Sequence, residues 1–160
     1  MTQRCGIGFD VHPLKPNLDL ILGGTKIPHH SGLQGHSDGD VLIHAIIDSL
    51  LGAAGLGDIG KHFPKNHPDL KNIKSTLMLS QTYQLLKSSK WRVINVDATI
   101  IAEEPTISPY AQSMSNVIAA EIAIDPNAVN IKSTTSDNLG FTGRKEGIAA
   151  ISIATIQVLK

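Results

Sequence analysis

Residues 41 to 51 contain Val41, Leu42, Ile43, Ala45, Ile46, Ile47, Leu50 and Leu51, a helix so apolar that it must be buried on most sides. Its only polar stripe is Asp40, His44 and Asp48, spaced i, i+4, i+8, and side chains that stripe such a helix must find partners. The loop feeding it, Gly35-His36-Ser37-Asp38-Gly39, offers Ser37 or Asp38 as a cap, with Asp40 three residues after Ser37 as in a capping box. Gly52 to Gly57 supplies the stop. This junction of polar loop and buried helix is where chemistry is expected.

Arg4 to His12 alternates as a strand, with Cys5, Ile7, Phe9 and Val11 on one face and Gly6, Gly8, Asp10 and His12 on the other. Cys5 therefore reads as core. Asp10 and His12 point the same way, and the glycines beside them leave room for a ligand or a closely packed backbone. Together with His44 they offer a carboxylate and two imidazoles, the ligand set of a catalytic zinc with an open position. Hydrogen-bonded core polar groups are the other reading of the same three residues.

Along the rest of the chain, Leu18–Leu22 and Thr25–Ile27 read as strands joined by a Gly23-Gly24 turn. His29 to Gly39 reads as loop, and Lys65 to Asn72 as a mobile loop or lid. Ser75–Lys87 carries helical periodicity, and Trp91–Ala102 is a strand whose even positions Ile94, Val96, Ala98, Ile100 and Ala102 face a core. Ser108-Pro109 opens a third helix, Val129–Thr135 is a strand, and Gly147–Leu159 is a final strand with apolar residues on both faces. The expected fold is one α+β domain over residues 1–160, a two-layer sandwich of one mixed sheet with helices on one face. The uncovered face then needs a partner subunit.

At 14 Lys plus Arg against 14 Asp plus Glu the chain has no global field to attract nucleic acid or a membrane, so an anionic ligand must be held locally. No run is apolar enough to span a bilayer, the single cysteine excludes an internal disulfide, and a strand starting near Met1 leaves no space for a targeting peptide. A cytoplasmic protein is expected. Thr134-Thr135-Ser136-Asp137 suits phosphate oxygens and a magnesium-class ion, or is a hydroxyl-rich turn; Gly140-Phe141-Thr142-Gly143-Arg144 frames a guanidinium suited to phosphate, or is a surface turn.

Several ordered blocks are similar to one family. These are Gly8-Phe9-Asp10-Val11-His12, Gly35 to Val41, His44, Leu51 to Gly60 with Phe63-Pro64, Asn95-Val96-Asp97 with Thr99 to Ala102, and Leu139 to Arg144 followed by Glu146-Gly147. They resemble the 2-C-methyl-D-erythritol 2,4-cyclodiphosphate synthases of the non-mevalonate isoprenoid pathway. The resemblance implies a metal-dependent phosphorus-oxygen lyase that closes 4-diphosphocytidyl-2-C-methyl-D-erythritol 2-phosphate into the cyclic diphosphate and releases CMP. It implies one zinc per chain on Asp10, His12 and His44, with magnesium or manganese on the substrate diphosphate near Asp137. His36 and Thr135 would act on the transition state. Asp10, His12, His36, Ser37, Asp58, Ile59, Gly60, Phe63, Pro64, Lys65, Asn66 and His67 would hold the phosphates and methylerythritol. Ala102, Glu103, Glu104, Pro105, Thr106, Ile107 and Ser108, with Thr134, Thr135, Ser136 and Asp137, would form the cytidine and diphosphate side. A homotrimer with active sites between subunits is implied, with Phe141 and Arg144 lining a central cavity able to take an isoprenoid diphosphate. Three places depart from the family pattern: Lys65-Asn66-His67 replaces an Asp-Thr-Asp type sequence, Thr106 a lysine, and Asp137 a glutamate.

Overall fold

In a computed structural model that describes residues 2–64, 70 and 73–159, the chain is an α+β sandwich. Its strands are β1 (Gln3–Pro16), β2 (Leu20–Leu22), β3 (Thr25–Ile27), β4 (Ser31–Leu33), β5 (Trp91–Ile101), β6 (Val129–Thr134) and β7 (Gly147–Val158). Its helices are α1 (Val41–Ala54), α2 (Ile59–His62), α3 (Ser75–Ser88), α4 (Ala111–Glu121) and the single turn α5 (Gly140–Gly143). The main sheet has the order β4-β1-β7-β5-β6, antiparallel except for the parallel β5–β6 pair, and β2–β3 forms a separate hairpin. That hairpin turns through Gly23 and Gly24, both at positive φ (56° and 69°), as the tight turn requires.

The glycine face of β1 receives α1. A Cβ on Gly6 would stand 2.0 Å from the Ser49 carbonyl oxygen, and one on Gly8 only 1.9 Å from that of Ala45. Only glycine lets the helix backbone lie this close to the strand. In register with these glycines, Ser152 and Ala154 of β7 and Ala98 and Val96 of β5 continue the same buried face, and the Ser49 and Ser152 hydroxyls meet at 3.2 Å. Ile43, Ile46, Ile47, Leu50 and Leu51 fill the layer behind, with Leu79 and Leu86 of α3 and Met114 and Ile118 of α4.

The opposite sheet face overturns one expectation. Cys5, Ile7, Phe9 and Val11 are exposed, Ile7 by 70% and Phe9 by 55%, and so are Ile151 and Ile153 of β7. The apolar side of β1 is not the core side, because the helix layer needs close approach and the small residues supply it. Register makes the exposed row continuous: Ile7 lies beside Ile153 and Phe9 beside Ile151, while Ile153 and Ile151 in turn face Asp97 and Thr99 of β5. The final strand is therefore apolar on both faces, as expected, with one face covered.

Local differences have local causes. A register shift between Val93 and Asn95 bulges β5, so Val93 and Val96 are buried while Ile94, expected in the core, is only half-buried. His29–Gly39 contains β4, which pairs with the end of β1, and α2 follows Asp58, whose side chain accepts from Lys61 N. Ser108-Pro109 starts a 3₁₀ turn that runs into α4. The lid expected at Lys65–Asn72 lies outside the described residues, Leu70 excepted.

Candidate active site

The cap of α1 is Asp40 itself, not Ser37 or Asp38, and it also anchors the β2–β3 hairpin. Its fully buried carboxylate accepts from Ile43 N (3.1 Å), Gly23 N (3.0 Å) and Gly24 N (2.7 Å). Burial still pushes it up to about 6, against the three donors, and nearby Asp38 adds to the rise. With α1 so fixed, its first turn carries His44 toward the glycine face of β1, where Asp10 and His12 lie.

Asp10 Oδ2 stands 2.9 Å from His12 Nε2 and 3.0 Å from His44 Nδ1, and the two nitrogens are 3.1 Å apart. Ligand atoms around a tetrahedral zinc sit about 3.3 Å from one another, from bond lengths near 2 Å. The far nitrogens decide what the near ones can do. His12 Nδ1 lies 2.8 Å from the Gln34 carbonyl, an acceptor only, so the proton is on Nδ1 and Nε2 turns a lone pair inward. Ser75 Oγ donates to Asp38 in a short hydrogen bond, leaving its lone pairs for His44 Nε2–H at 3.2 Å, with Ser37 Oγ at 3.0 Å on the same nitrogen. His44 Nδ1 thus also presents a lone pair. Two lone pairs and a carboxylate oxygen within 3.1 Å repel unless a cation lies among them, so these residues fit a metal ion.

Around this trio opens a cleft of ≈ 610 Å³ lined also by His36, Ser37, Ile59, Gly60 and Phe63. Ile59 N donates to Asp48 (2.7 Å), so the third member of the polar stripe holds the start of α2 at the cleft. Asp58 caps that helix and does not line the cleft; nor does Pro64, and Lys65, Asn66 and His67 lie outside the described residues.

The other expected residues form a separate cluster at the β5–β6 end of the sheet. Ala102 N donates to Thr134 O (3.0 Å), Ile107 is buried, and Glu103 accepts from Ser136 N (2.9 Å), Ser136 Oγ (3.0 Å) and Asn138 N (3.2 Å). Those bonds from Ser136 lower the Glu103 pKa. Pro105, Thr106 and Ser108 follow on the same connection, while Thr135 and Asp137 are exposed, Asp137 at φ 54°. Glu104 pairs with Lys145 (2.8 Å), and Arg144 forks onto Glu146 at 2.9 and 3.1 Å beside half-exposed Phe141. No residue of this cluster lines the cleft, because β7 separates β1 from β5.

Residues 3–157 match the YgbB family. The chain belongs to the YgbB family. It is similar to proteins named 2-C-methyl-D-erythritol 2,4-cyclodiphosphate synthase: 54% identical over 154 residues to that of Clostridium novyi (96% of this chain, 98% of the other) and 49% over 155 residues to that of Syntrophomonas wolfei (97% and 99%). Among solved structures it is similar to the bifunctional IspDF of Campylobacter jejuni (TM-score 0.95, 40% identity), covering 99% of this chain and 43% of that one. It is also similar to the Plasmodium falciparum IspF in its CDP complex (TM-score 0.86, 33% identity; 99% and 97% covered). No helix among the described residues is long and apolar enough to cross a membrane.

Sequence reasoning missed Gln34 and Ser75 as partners of the two histidines, and Asp38 as the acceptor behind Ser75. Only Ser75, at the start of a periodic helix, carried a signal, since a serine there is a candidate cap.

Proposed function

We propose that this YgbB-family chain converts 4-diphosphocytidyl-2-C-methyl-D-erythritol 2-phosphate to 2-C-methyl-D-erythritol 2,4-cyclodiphosphate and CMP, as a homotrimer whose active sites lie between subunits. The observation that carries the reading is the Asp10, His12 and His44 trio, converging within 3.1 Å with both outer nitrogens tied down. Relatives at about half identity bearing the synthase name, and a related structure in complex with CDP, support the substrate class.

In this reaction an oxygen of the substrate's 2-phosphate attacks the β-phosphorus, the bond from that phosphorus to the bridging oxygen breaks, and its electron pair leaves on CMP. The barrier lies in bringing two anions together in line, so positioning and charge neutralisation do most of the work. Zinc bound at Asp10, His12 and His44 supplies positive charge against the crowded phosphates. His36 and Ser37, on the cleft loop, orient the terminal phosphates. Ile59 and Gly60 receive the methylerythritol part, and Phe63 shields it from water. The β5–β6 cluster of a neighbouring subunit, Ala102 to Ser108 with Thr134 to Asp137, holds the cytidine and diphosphate. There Thr135 would act opposite His36, and Asp137 is the residue that would hold a magnesium or manganese ion, which would neutralise charge on the diphosphate. The exposed row of Ile7, Phe9, Val11, Ile151 and Ile153 supports the trimer: such side chains contribute about 1.5–3 kcal/mol each when fully buried. Phe141 and Arg144 lie at the same end and would meet an isoprenoid diphosphate in the central cavity.

Running the reaction in oxygen-18 water tests the chemistry. Intramolecular attack gives CMP and cyclic diphosphate, both without label. Label in either product, or a linear diphosphate, would mean that water is the nucleophile and that the chain is a diphosphohydrolase.

A further inference from the structure

A second group of metal-ligating side chains lies outside the cleft. His29 and His30 precede β4, and Glu104 follows β5; one ligand atom from each lies within 4.8 Å of the others. His29 is nearly buried, with Nδ1 2.9 Å from the Ser31 carbonyl and Nε2 3.9 Å from Glu104 Oε1. The carbonyl accepts only, so Nδ1 carries the proton and Nε2 turns a lone pair toward the carboxylate. A backbone carbonyl fixing the outer nitrogen in this way orients a metal-bound imidazole. The His30 ring packs on that of His29 with centroids 4.1 Å apart, bringing the second imidazole to the same carboxylate.

We propose that His29, His30 and Glu104 bind a first-row divalent cation of the zinc, cobalt or nickel class, separately from Asp10, His12 and His44. Two imidazoles and a carboxylate suit these ions and not magnesium or calcium, which prefer all-oxygen sites. The His29–Glu104 separation of 3.9 Å, in a group whose ligand atoms all lie within 4.8 Å, is wider than the 2.9 to 3.1 Å of the cleft trio, so that pair must close by about 0.6 Å to reach the spacing around zinc. This site is accordingly the weaker of the two. Lys145, 2.8 Å from Glu104 Oε2, occupies the carboxylate and competes with the ion. That contact also holds Glu104 below its usual pKa, keeping the oxygen anionic.

The test is equilibrium dialysis of untagged protein against zinc alone, repeated with cobalt so that binding can be followed in the visible spectrum. Wild type should take up a second, weaker equivalent per chain. His30→Ala, a change at an exposed ring, should lose that equivalent, keep the first and keep wild-type turnover. Lys145→Ala should bind the second equivalent about two- to fivefold tighter, the strength of an exposed ion pair. His44→Ala should lose the first equivalent and keep the second, so the two sites fail independently. A single equivalent in wild type up to millimolar zinc, or a second equivalent that survives in both His30→Ala and Glu104→Gln, would overturn the proposal.

Discussion

The cleft and the β5–β6 cluster differ in how complete a single chain makes them. In the cleft, both inward nitrogens are aimed by a bond on the outer side of the ring: Gln34 holds His12, Ser75 and Ser37 hold His44, and Asp40 fixes the helix that carries it. In the β5–β6 cluster the backbone is pinned by Glu103, yet Thr135 and Asp137 are exposed, as is the apolar row on the open face of the sheet. Metal ligands need sub-ångström placement, which one rigid helix–strand contact provides, whereas a nucleotide can be gripped across an interface. The difference teaches how the proposed trimer would divide its site: the single chain finishes the metal half, and the nucleotide half is the one the proposal gives to a neighbour to complete.

Removing a ligand breaks the finished half most severely. His44→Ala should lose the bound metal and lower turnover on the order of 10³-fold, the scale of deleting a principal charge-stabilising group. Metal analysis beside a turnover assay checks both, and full zinc occupancy in the variant would refute the ligand set.

Gly8→Val attacks the same half through packing. Its side chain would enter the Ala45 carbonyl, so α1 must move off β1 and take His44 with it. A loss of about 3 kcal/mol in urea denaturation is expected, together with weakened metal binding.

Phe9→Asp acts on the open face instead. Light scattering should find the wild type trimeric and the variant monomeric, with metal content unchanged because Asp10, His12 and His44 belong to one chain. A trimer that survives this charge would show that the exposed row is not the interface.

Asp40→Asn is the mildest. One of its two oxygens becomes a donor facing a backbone N–H, which costs about 1–3 kcal/mol. The native Asp40 pKa of about 6 lies above the ordinary 3.8, so the folded state holds this proton more tightly than the unfolded chain does. Its contribution to stability therefore rises as pH falls from about 6 to 4 and is level below. The asparagine variant should lose that segment of the pH–stability profile.

Much of the cleft was legible beforehand because its chemistry rests on residue types at readable periods. Alternation put Asp10 and His12 on one strand face, and the 3.6-residue period put His44 on a polar stripe. What periodicity could not tell was which face of β1 is core. Ile7, Phe9 and Val11 look like core and are not, since the deciding quantity is the clearance that Gly6 and Gly8 give to α1. The bulge at Val93–Asn95 shifted Ile94 out of the core for a similar reason: it depends on pairing with β7, not on local sequence. Gln34 contributes only a backbone carbonyl, which leaves no trace in residue identity. In the β5–β6 cluster, Thr134 to Asp137 was readable from residue type as suited to phosphate or as a plain hydroxyl-rich turn, whereas Ala102 to Ser108 was visible through family resemblance alone.

Subunit mixing tests most directly whether the two halves of the site come from different chains. His44→Ala and Thr135→Ala should each be inactive as pure trimers. Dissociated, mixed in equal amounts and reassembled, they should regain about a quarter of wild-type turnover, since random assembly places an intact metal half against an intact nucleotide half at about one interface in four. Recovery to that level is the predicted result. A mixed trimer, verified by mass, that remains as inactive as its parents would contradict the shared site.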